Sequence, residues 1–184
     1  MNNLQVLKRE DVGSQTQGVF DTLKGKIGMV PNLYAATANS QKALNALLNL
    51  GENLGGGEFT GKEVEAIALS AGEANSCGYC LSAHTAIGKM NGFSEEETIQ
   101  LRTGKITDKK LNALSKLVRN IVITRGKPSQ IFIDNFFNAG YSKAALAEVI
   151  GHVALNTFTN YINHIAETPI DFPLAAEVDE VVVV

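Results

Sequence analysis

Apolar residues recur at helical spacing along most of this chain. The clearest stretch runs from about 108 to 125, where one face of the predicted helix carries Leu111, Leu114, Leu117, Val118 and Ile121. No segment shows a convincing alternation of apolar and polar residues, which is typical of a half-buried strand. The pattern therefore predicts an all-α protein, a helical bundle.

Capping and turn residues divide the chain into separate helices. Ser/Thr-x-x-Glu capping boxes at 60–63 and 94–97 predict that helices begin just after them. Ser76 is expected to cap the helix that follows it. The predicted helices have approximate bounds 14–24, 32–39, 41–50, 61–74, 77–90, 95–103, 108–125, 129–139, 143–150 and 152–166.

Two short segments resemble each other, which suggests two related helical halves. Gly92-Phe93-Ser94 and Gly140-Tyr141-Ser142 each follow a predicted helix end, and each supplies the cap of the next helix. Two short matches are weak evidence for a duplication.

Composition and charge narrow the class of protein. The 184 residues suit one domain, expected at 1–175, with an acidic and then valine-rich C-terminal tail at 176–184. Hydrophobic residues make up 45% of the chain and charged residues 19%, which is typical of a globular protein. The net charge is −3, and no run of Lys and Arg is long enough to suggest a surface that binds nucleic acid. No signal-peptide pattern is present, and no apolar run approaches the roughly 20 residues that span a bilayer. We therefore expect a soluble, cytoplasmic protein that binds neither nucleic acid nor membrane.

The candidate chemistry lies in segment 76–84, which holds both cysteines of the chain. In a helix, Cys77, Cys80 and His84 fall at i, i+3 and i+7, on one side. A C-x-x-C pair in a reducing compartment is typical of redox or metal chemistry, and the start of a helix favours a thiolate. His84 lies one turn beyond Cys80 and is placed to accept its proton. The spacing indicates a nucleophile, a resolving thiol and a base.

Plainer interpretations of these residues stay open. A zinc ion could bind Cys77, Cys80 and His84, with Glu65 or water as the fourth ligand, but no second ligand pair follows. The cysteines could also be inert core residues beside a core histidine. His152, at the start of the last predicted helix, is expected to be an ordinary surface or cap residue.

The motif has a wider setting that resembles a known family. Glu65, twelve residues before Cys77, followed by Cys77-x-x-Cys80-x-x-x-His84, resembles the catalytic pattern of the alkylhydroperoxidase AhpD, in the carboxymuconolactone decarboxylase superfamily. The close match covers roughly 60–100. Segments 29–32 and 140–142 resemble the longer, peroxidase-related branch. The fold that this resemblance implies is an AhpD-like helical bundle.

The resemblance also implies a role for each site residue. Cys80 would be the peroxidatic thiol, Cys77 the resolving thiol, and Glu65 and His84 the proton relay. The helix dipole alone would favour the more N-terminal Cys77 as nucleophile. The decarboxylase branch lacks the thiol pair, so the cysteines favour the peroxidase side.

The predicted function is therefore an alkylhydroperoxidase-like oxidoreductase, an antioxidant enzyme that reduces hydroperoxides or disulfides. The family implies a homo-oligomer, trimer or hexamer, and a dithiol reductant such as a lipoyl domain. Neither a cofactor nor a metal is predicted; a C-x-x-C-His haem motif would need histidine where Leu81 stands. The alternatives are a non-catalytic, redox- or metal-responsive interaction protein and a lactone decarboxylase of the same superfamily.

Overall fold

The computed structural model describes residues 3–178, which form a short 3₁₀ turn, Arg9–Asp11, and nine α-helices without any strand. The helices are α1 (Ser14–Ile27), α2 (Asn32–Thr37), α3 (Gln41–Leu54), α4 (Gly61–Ala74), α5 (Gly78–Met90), α6 (Glu95–Thr103), α7 (Lys109–Ile123), α8 (Gln130–Asn138) and α9 (Lys143–Ala166). The all-α prediction is confirmed.

Helix α4 lies at the centre of the bundle. It packs against α5, α7 and α9, and residues 66–72 along it are all buried. The capping box predicted at its start is present: the Thr60 hydroxyl accepts from the Glu63 N–H, and the Glu63 carboxylate accepts from the Thr60 N–H. Because every face of α4 is covered, its small and aliphatic residues let three helices approach it closely.

Most of the apolar core is one cluster of buried residues that includes α4. Its fully buried members come from α4, α6, α7, α8 and α9 and include Leu69, Leu101, Leu117, Phe136 and Val149. A separate, smaller cluster surrounds the two cysteines. The cysteines therefore lie apart from the main core.

The last two predicted helices are one continuous helix, so the expected break near residue 151 is wrong. A Cβ at Gly151 would lie 2.9 Å from Leu54 Cδ2 on α3. This glycine therefore serves the close packing of α9 against α3 and does not end the helix. His152 consequently lies in mid-helix, buried and packed edge-on against Phe59, and is not the surface or cap residue expected.

Helix α1 is also longer than predicted, because Gly25 lies inside it. The helix ends at Ile27, where Gly28 adopts the left-handed conformation (φ 79°) that closes it.

The two segments that resemble each other in sequence share their local geometry. Gly92 and Gly140 have φ of 93° and 94°, and each is followed by a buried aromatic residue. Ser94 caps α6 and Ser142 caps α9.

After α9 the chain returns over the start of α5. The Ala175 N–H donates to Ser82 Oγ (3.2 Å), and the Ala176 carbonyl accepts from Arg102 Nη1 (2.6 Å). Residues 179–184 of the predicted C-terminal tail lie outside the described residues. Within 3–178, no helix has both the length and the apolar character required to cross a membrane.

Candidate active site

A tight turn between α4 and α5 positions the cysteines. The Ser76 N–H donates to the Glu73 carbonyl and the Cys77 N–H to the Gly72 carbonyl, the two bonds of a Schellman motif, with Ser76 left-handed at φ 55°. Cys77, not Ser76, is therefore the N-cap of α5. The predicted Ser76 cap is wrong because a residue that closes α4 in the left-handed conformation cannot adopt the extended backbone of an N-cap.

Both thiols are reduced and buried at the start of α5. Cys77 is 1% exposed and Cys80 3% exposed. The Cys80 N–H donates to Cys77 Sγ at 3.4 Å, so Cys77 uses its sulfur where a serine would use its hydroxyl. The two sulfurs thus share one helical turn, as C-x-x-C spacing requires.

Helix α9 supplies two hydrogen-bond donors to the thiols. Asn160 Nδ2 donates to Cys80 Sγ at 2.9 Å, and Asn163 Nδ2 donates to the same sulfur at 3.3 Å. Asn163 Nδ2 also lies 4.0 Å from Cys77 Sγ. The Cys80 sulfur therefore receives closer amide hydrogen bonds than the Cys77 sulfur does.

Glu65 on α4 meets His84 on α5 in a close pair. The Oε2 atom of Glu65 lies 2.8 Å from Nδ1 of His84, and their side chains are 9% and 25% exposed. A carboxylate at this distance places the proton of the imidazole on Nδ1, which leaves Nε2 for proton exchange. Burial lowers the pKa of His84, but the charges of Glu65 and Cys80 and the Glu65 hydrogen bond raise it, and the net shift is upward.

The surroundings shift the pKa values of Cys77 and Cys80 in opposite directions. A hydrogen bond from Cys77 lowers the pKa of Cys80; burial opposes this effect, and the His84 charge and the two asparagine donors reinforce it. The net result lowers the pKa of Cys80 to about 6. The same hydrogen bond, burial and the Cys80 charge raise the pKa of Cys77. Cys80 is thus the thiol that ionises first.

A cleft of about 360 Å³ opens onto Cys80 and His84. Cys77 does not line it. The walls are largely apolar, from Leu33, Leu47, Leu48, Val64, Ala68 and Leu155, with His152, Asn156 and Thr159 among the polar members. The reactive sulfur therefore faces a space that suits an apolar small molecule.

Tyr79 links the site to the C-terminal segment. Its hydroxyl donates to Asp171 Oδ1 (2.7 Å) and accepts from the Leu33 N–H (3.2 Å). Asp171 Oδ2 also accepts from the Asn32 N–H (2.7 Å), and Phe172 packs edge-on against the Tyr79 ring. Tyr79 thus ties the start of α2 and the C-terminal segment to α5.

Comparison with known proteins relates part of the sequence to a family and the fold to solved structures. The carboxymuconolactone decarboxylase family model matches residues 40–119, the part of the chain that contains Glu65, both cysteines and His84. An uncharacterised peroxidase-related protein with an alkylhydroperoxidase AhpD core, from Ralstonia eutropha JMP134, superimposes with a TM-score of 0.82 at 17% identity. The match covers 91% of this chain and 90% of that one. Residues 40–119 therefore resemble the carboxymuconolactone decarboxylase family in sequence, and the chain as a whole has an AhpD-like fold.

Other solved structures share this fold. An uncharacterised peroxidase-related protein from Silicibacter sp. TM1040 matches with a TM-score of 0.77 at 19% identity, over 91% of this chain and 89% of that one. The debrominase Bmp8, in complex with 2,3,4-tribromopyrrole, matches with a TM-score of 0.79 at 18% identity, over 93% of this chain and 92% of that one. No curated protein matches the sequence.

The fold brings together the site residues predicted from sequence. Glu65 pairs with His84, and Cys80 and His84 line one cleft. Sequence reasoning does not single out Asn160 and Asn163, although a signal is present: Asn156, Asn160 and Asn163 recur at i, i+4 and i+7 in the last helix. Among residues 3–178, no group of three or more His, Cys, Asp or Glu side chains is arranged to hold a metal ion.

Proposed function

We propose that this protein is a thiol-dependent peroxidase that reduces hydroperoxides through Cys80 and Cys77, with Glu65 and His84 as its proton relay. One observation carries the proposal. Cys80 faces the cleft beside His84, and its sulfur accepts two amide hydrogen bonds, while Cys77 lies one turn away and does not line the cleft. The order of attack that this favours is Cys80 first and Cys77 second.

In the first step the Cys80 thiolate attacks one peroxide oxygen. The S–O bond forms as the O–O bond breaks, which oxidises the sulfur to a sulfenic acid and releases an alkoxide. His84, protonated by the Cys80 thiol, returns that proton to the alkoxide and yields the alcohol. Glu65 holds the imidazole by its Nδ1 atom and stabilises the charged form during the transfer.

In the second step Cys77 resolves the sulfenic acid. Its thiolate attacks Cys80 Sγ, the S–S bond forms, and the S–O bond breaks with release of hydroxide, which takes the Cys77 proton to become water. The overall change is one hydroperoxide and two thiols to one alcohol, one water and one disulfide. An external dithiol, such as a lipoyl domain, then exchanges with the disulfide and restores both thiols. We further propose a cytoplasmic homo-oligomer as the working form.

Intact mass spectrometry tests this chemistry directly. The reduced protein is treated with one equivalent of an organic hydroperoxide, alongside Cys77→Ser and Cys80→Ser. We expect the wild type to lose two hydrogens, Cys77→Ser to gain one oxygen, and Cys80→Ser to stay unchanged.

Oxygen on the Cys80→Ser variant instead would assign the nucleophile to Cys77. No change in any of the three would contradict the peroxidase. A disulfide that forms without turnover, in the presence of excess dithiol and peroxide, would favour a redox-responsive interaction protein.

A second candidate is reductive removal of bromide from an organic substrate. The observation that favours it is the largely apolar cleft at Cys80, in a fold shared with a debrominase. The Cys80 thiolate would take bromine from carbon, the carbon would receive a proton from His84, and Cys77 would displace bromide as the disulfide forms. One bromoarene and two thiols give one arene, one disulfide, bromide and a proton.

Bromide release separates the two candidates. With a dithiol in excess, the protein is incubated in parallel with a hydroperoxide and with 2,3,4-tribromopyrrole. Bromide release that Cys80→Ser abolishes, with slow peroxide consumption, would favour the debrominase; peroxide consumption without bromide release would favour the peroxidase.

A further inference from the structure

Helix α9 carries a stripe of three buried carboxamides. Asn156, Asn160 and Asn163 recur at i, i+4 and i+7 and are 5%, 0% and 4% exposed. Asparagine is a poor residue for a helix interior and costly to bury without partners. Three of them on one buried face indicate that this face meets a polar group, and the group that Asn160 and Asn163 meet is the Cys80 sulfur.

The orientation of Asn160 is fixed from outside its own helix. Asn75, the C-cap residue of α4, donates from Nδ2 to Asn160 Oδ1 at 2.8 Å. With its oxygen held in this way, the Asn160 amide can present only its NH₂ group to Cys80 Sγ, 2.9 Å away. A preorganised donor of this kind stabilises an anion without reorganising when the charge forms.

Asn163 also donates to Cys80 Sγ, but its amide nitrogen lies near both sulfurs. Its Nδ2 atom lies 3.3 Å from Cys80 Sγ and 4.0 Å from Cys77 Sγ, and its buried Oδ1 atom has no hydrogen-bond partner among residues 3–178. A buried acceptor without a partner calls for an explanation. Beside two thiols, such an acceptor is suited to the S–H or S–O–H groups that the reduced and oxidised sulfurs carry.

We propose that the Asn75, Asn160 and Asn163 carboxamides form an anion site for the Cys80 sulfur, in which Asn160 and Asn163 donate and Asn75 positions Asn160. This inference rests on the proposed thiol chemistry and identifies what stabilises its nucleophile. Neither peroxide nor bromide enters the argument, so it holds for either candidate reaction.

The other charged or titratable groups around Cys80 lie on different elements. His84 and Cys77 belong to α5, and Glu65 acts on Cys80 through His84. Asp171 lies beyond Tyr79 in the C-terminal segment. His152 on α9 and Glu52 on α3 line the same cleft as Cys80. The carboxamide variants leave both of these groups and the proton relay unchanged, so they test the anion site separately from the relay.

The test is a pH titration of the Cys80 thiolate by its ultraviolet absorbance, with Cys80→Ser as baseline. The variants are Asn160→Leu and Asn163→Leu, which keep the branched shape of the side chain and remove the donor, and Asn75→Ala, which releases the Asn160 amide. We expect each leucine variant to raise the pKa of Cys80 by about one unit, since a hydrogen bond to a charged group is a strong one. Asn75→Ala should give a smaller rise in the same direction.

Asn156→Leu is the matched control. Asn156 lies on the same buried stripe, but its Nδ2 donates to the His152 carbonyl and not to a thiol. It should leave the pKa of Cys80 unchanged at a comparable cost in stability. Equal shifts in Asn156→Leu and Asn160→Leu, or no shift in Asn160→Leu and Asn163→Leu, would overturn the proposal.

Asn160→Asp covers the case in which the leucine variants do not fold. It keeps the acceptor for Asn75 and places a negative charge against Cys80, so the pKa of Cys80 should rise further than in any neutral variant. An unchanged pKa in this variant would equally overturn the anion site. Because the titration needs no substrate, a failure of the proposed peroxidase would leave its result intact.

Discussion

Glu63 and Glu65 are buried glutamates separated by one residue on α4, yet their surroundings differ. The Glu63 carboxylate accepts from the Thr60 N–H and hydroxyl, from Tyr141 Oη (2.9 Å) and from Lys110 Nζ (2.9 Å). Glu65 has one close partner, Nδ1 of His84. One carboxylate has all its acceptor positions filled, and the other is shared with a group that can exchange a proton at the cleft.

The contrast shows how a buried carboxylate can be assigned a role. Hydrogen bonds from groups that keep their protons hold a carboxylate permanently ionised and stabilise the fold. A carboxylate paired with an imidazole leaves the pair able to gain and lose a proton, as acid–base chemistry requires. By this criterion Glu63 joins α4 to α7 and to the start of α9, and Glu65 belongs to the candidate site.

Exchanging Glu65 for glutamine should give the largest effect. We expect Glu65→Gln to reduce turnover about 100-fold or more, because His84 loses the charge that stabilises its protonated form. The melting temperature should change little. Steady-state consumption of hydroperoxide with a dithiol measures the first quantity and thermal unfolding the second; turnover close to that of the wild type would remove Glu65 from the relay.

Glu63→Gln should show the opposite behaviour. We expect the free energy of unfolding to fall by about 2 kcal/mol, since a buried carboxylate loses charge-assisted bonds, while turnover per folded molecule is kept. Burial raises the pKa of Glu63, but the Thr60, Lys110 and Tyr141 bonds outweigh it, and the net shift is downward. Its stabilisation is therefore complete above the ordinary glutamate pKa and is lost as the pH falls through the lowered value.

Denaturant unfolding at neutral and acidic pH checks this assignment. The difference between wild type and Glu63→Gln should be largest near neutral pH and shrink in acid. If the difference grows on acidification, or if the folded variant loses turnover, the assignment of Glu63 to stability alone is wrong.

Tyr141→Phe isolates one bond of the Glu63 network. The ring stays stacked on Phe136, with centroids 4.3 Å apart, and only the hydroxyl that donates to Glu63 is lost. We expect a loss of about 1 kcal/mol in the free energy of unfolding. A double-mutant cycle with Glu63→Gln supplies the control, because most of that loss should disappear when Glu63 is already changed.

The smallest expected effect concerns the ionisation of Cys80. In the wild type its thiolate should form as the pH rises through about 6. Glu65→Gln lowers the pKa of His84, so less positive charge faces Cys80. The pKa of Cys80 should therefore rise by about half a unit. Thiolate absorbance measures the shift, with Glu63→Gln as the unshifted control; a downward shift would mean that Glu65 acts on Cys80 by repulsion.

Local sequence signals located the scaffold of the site well. The capping box at Thr60 starts α4 as predicted, and the cysteines and His84 lie on α5 as their spacing indicated. The predicted helix boundaries are wrong where tertiary contacts determine the backbone conformation. The spacing predicts a helix break near residue 151, but Gly151 is the point at which α9 meets Leu54. Ser76 is predicted as an N-cap, but it closes α4 in the left-handed conformation.

The sequence by itself determined that the protein is helical and that Cys80 and His84 lie one turn apart on one helix just after Cys77, because both facts follow from spacing within one element. It could not choose Glu65 over Glu63 by spacing, nor reveal Asn160 and Asn163, which lie eighty or more positions from Cys80. Only the tertiary structure brings α9 against the thiols and gives each glutamate its partners. Hydrogen bonding and acidity depend on distances of a few ångströms between elements, and such distances are set by packing rather than by position along the chain.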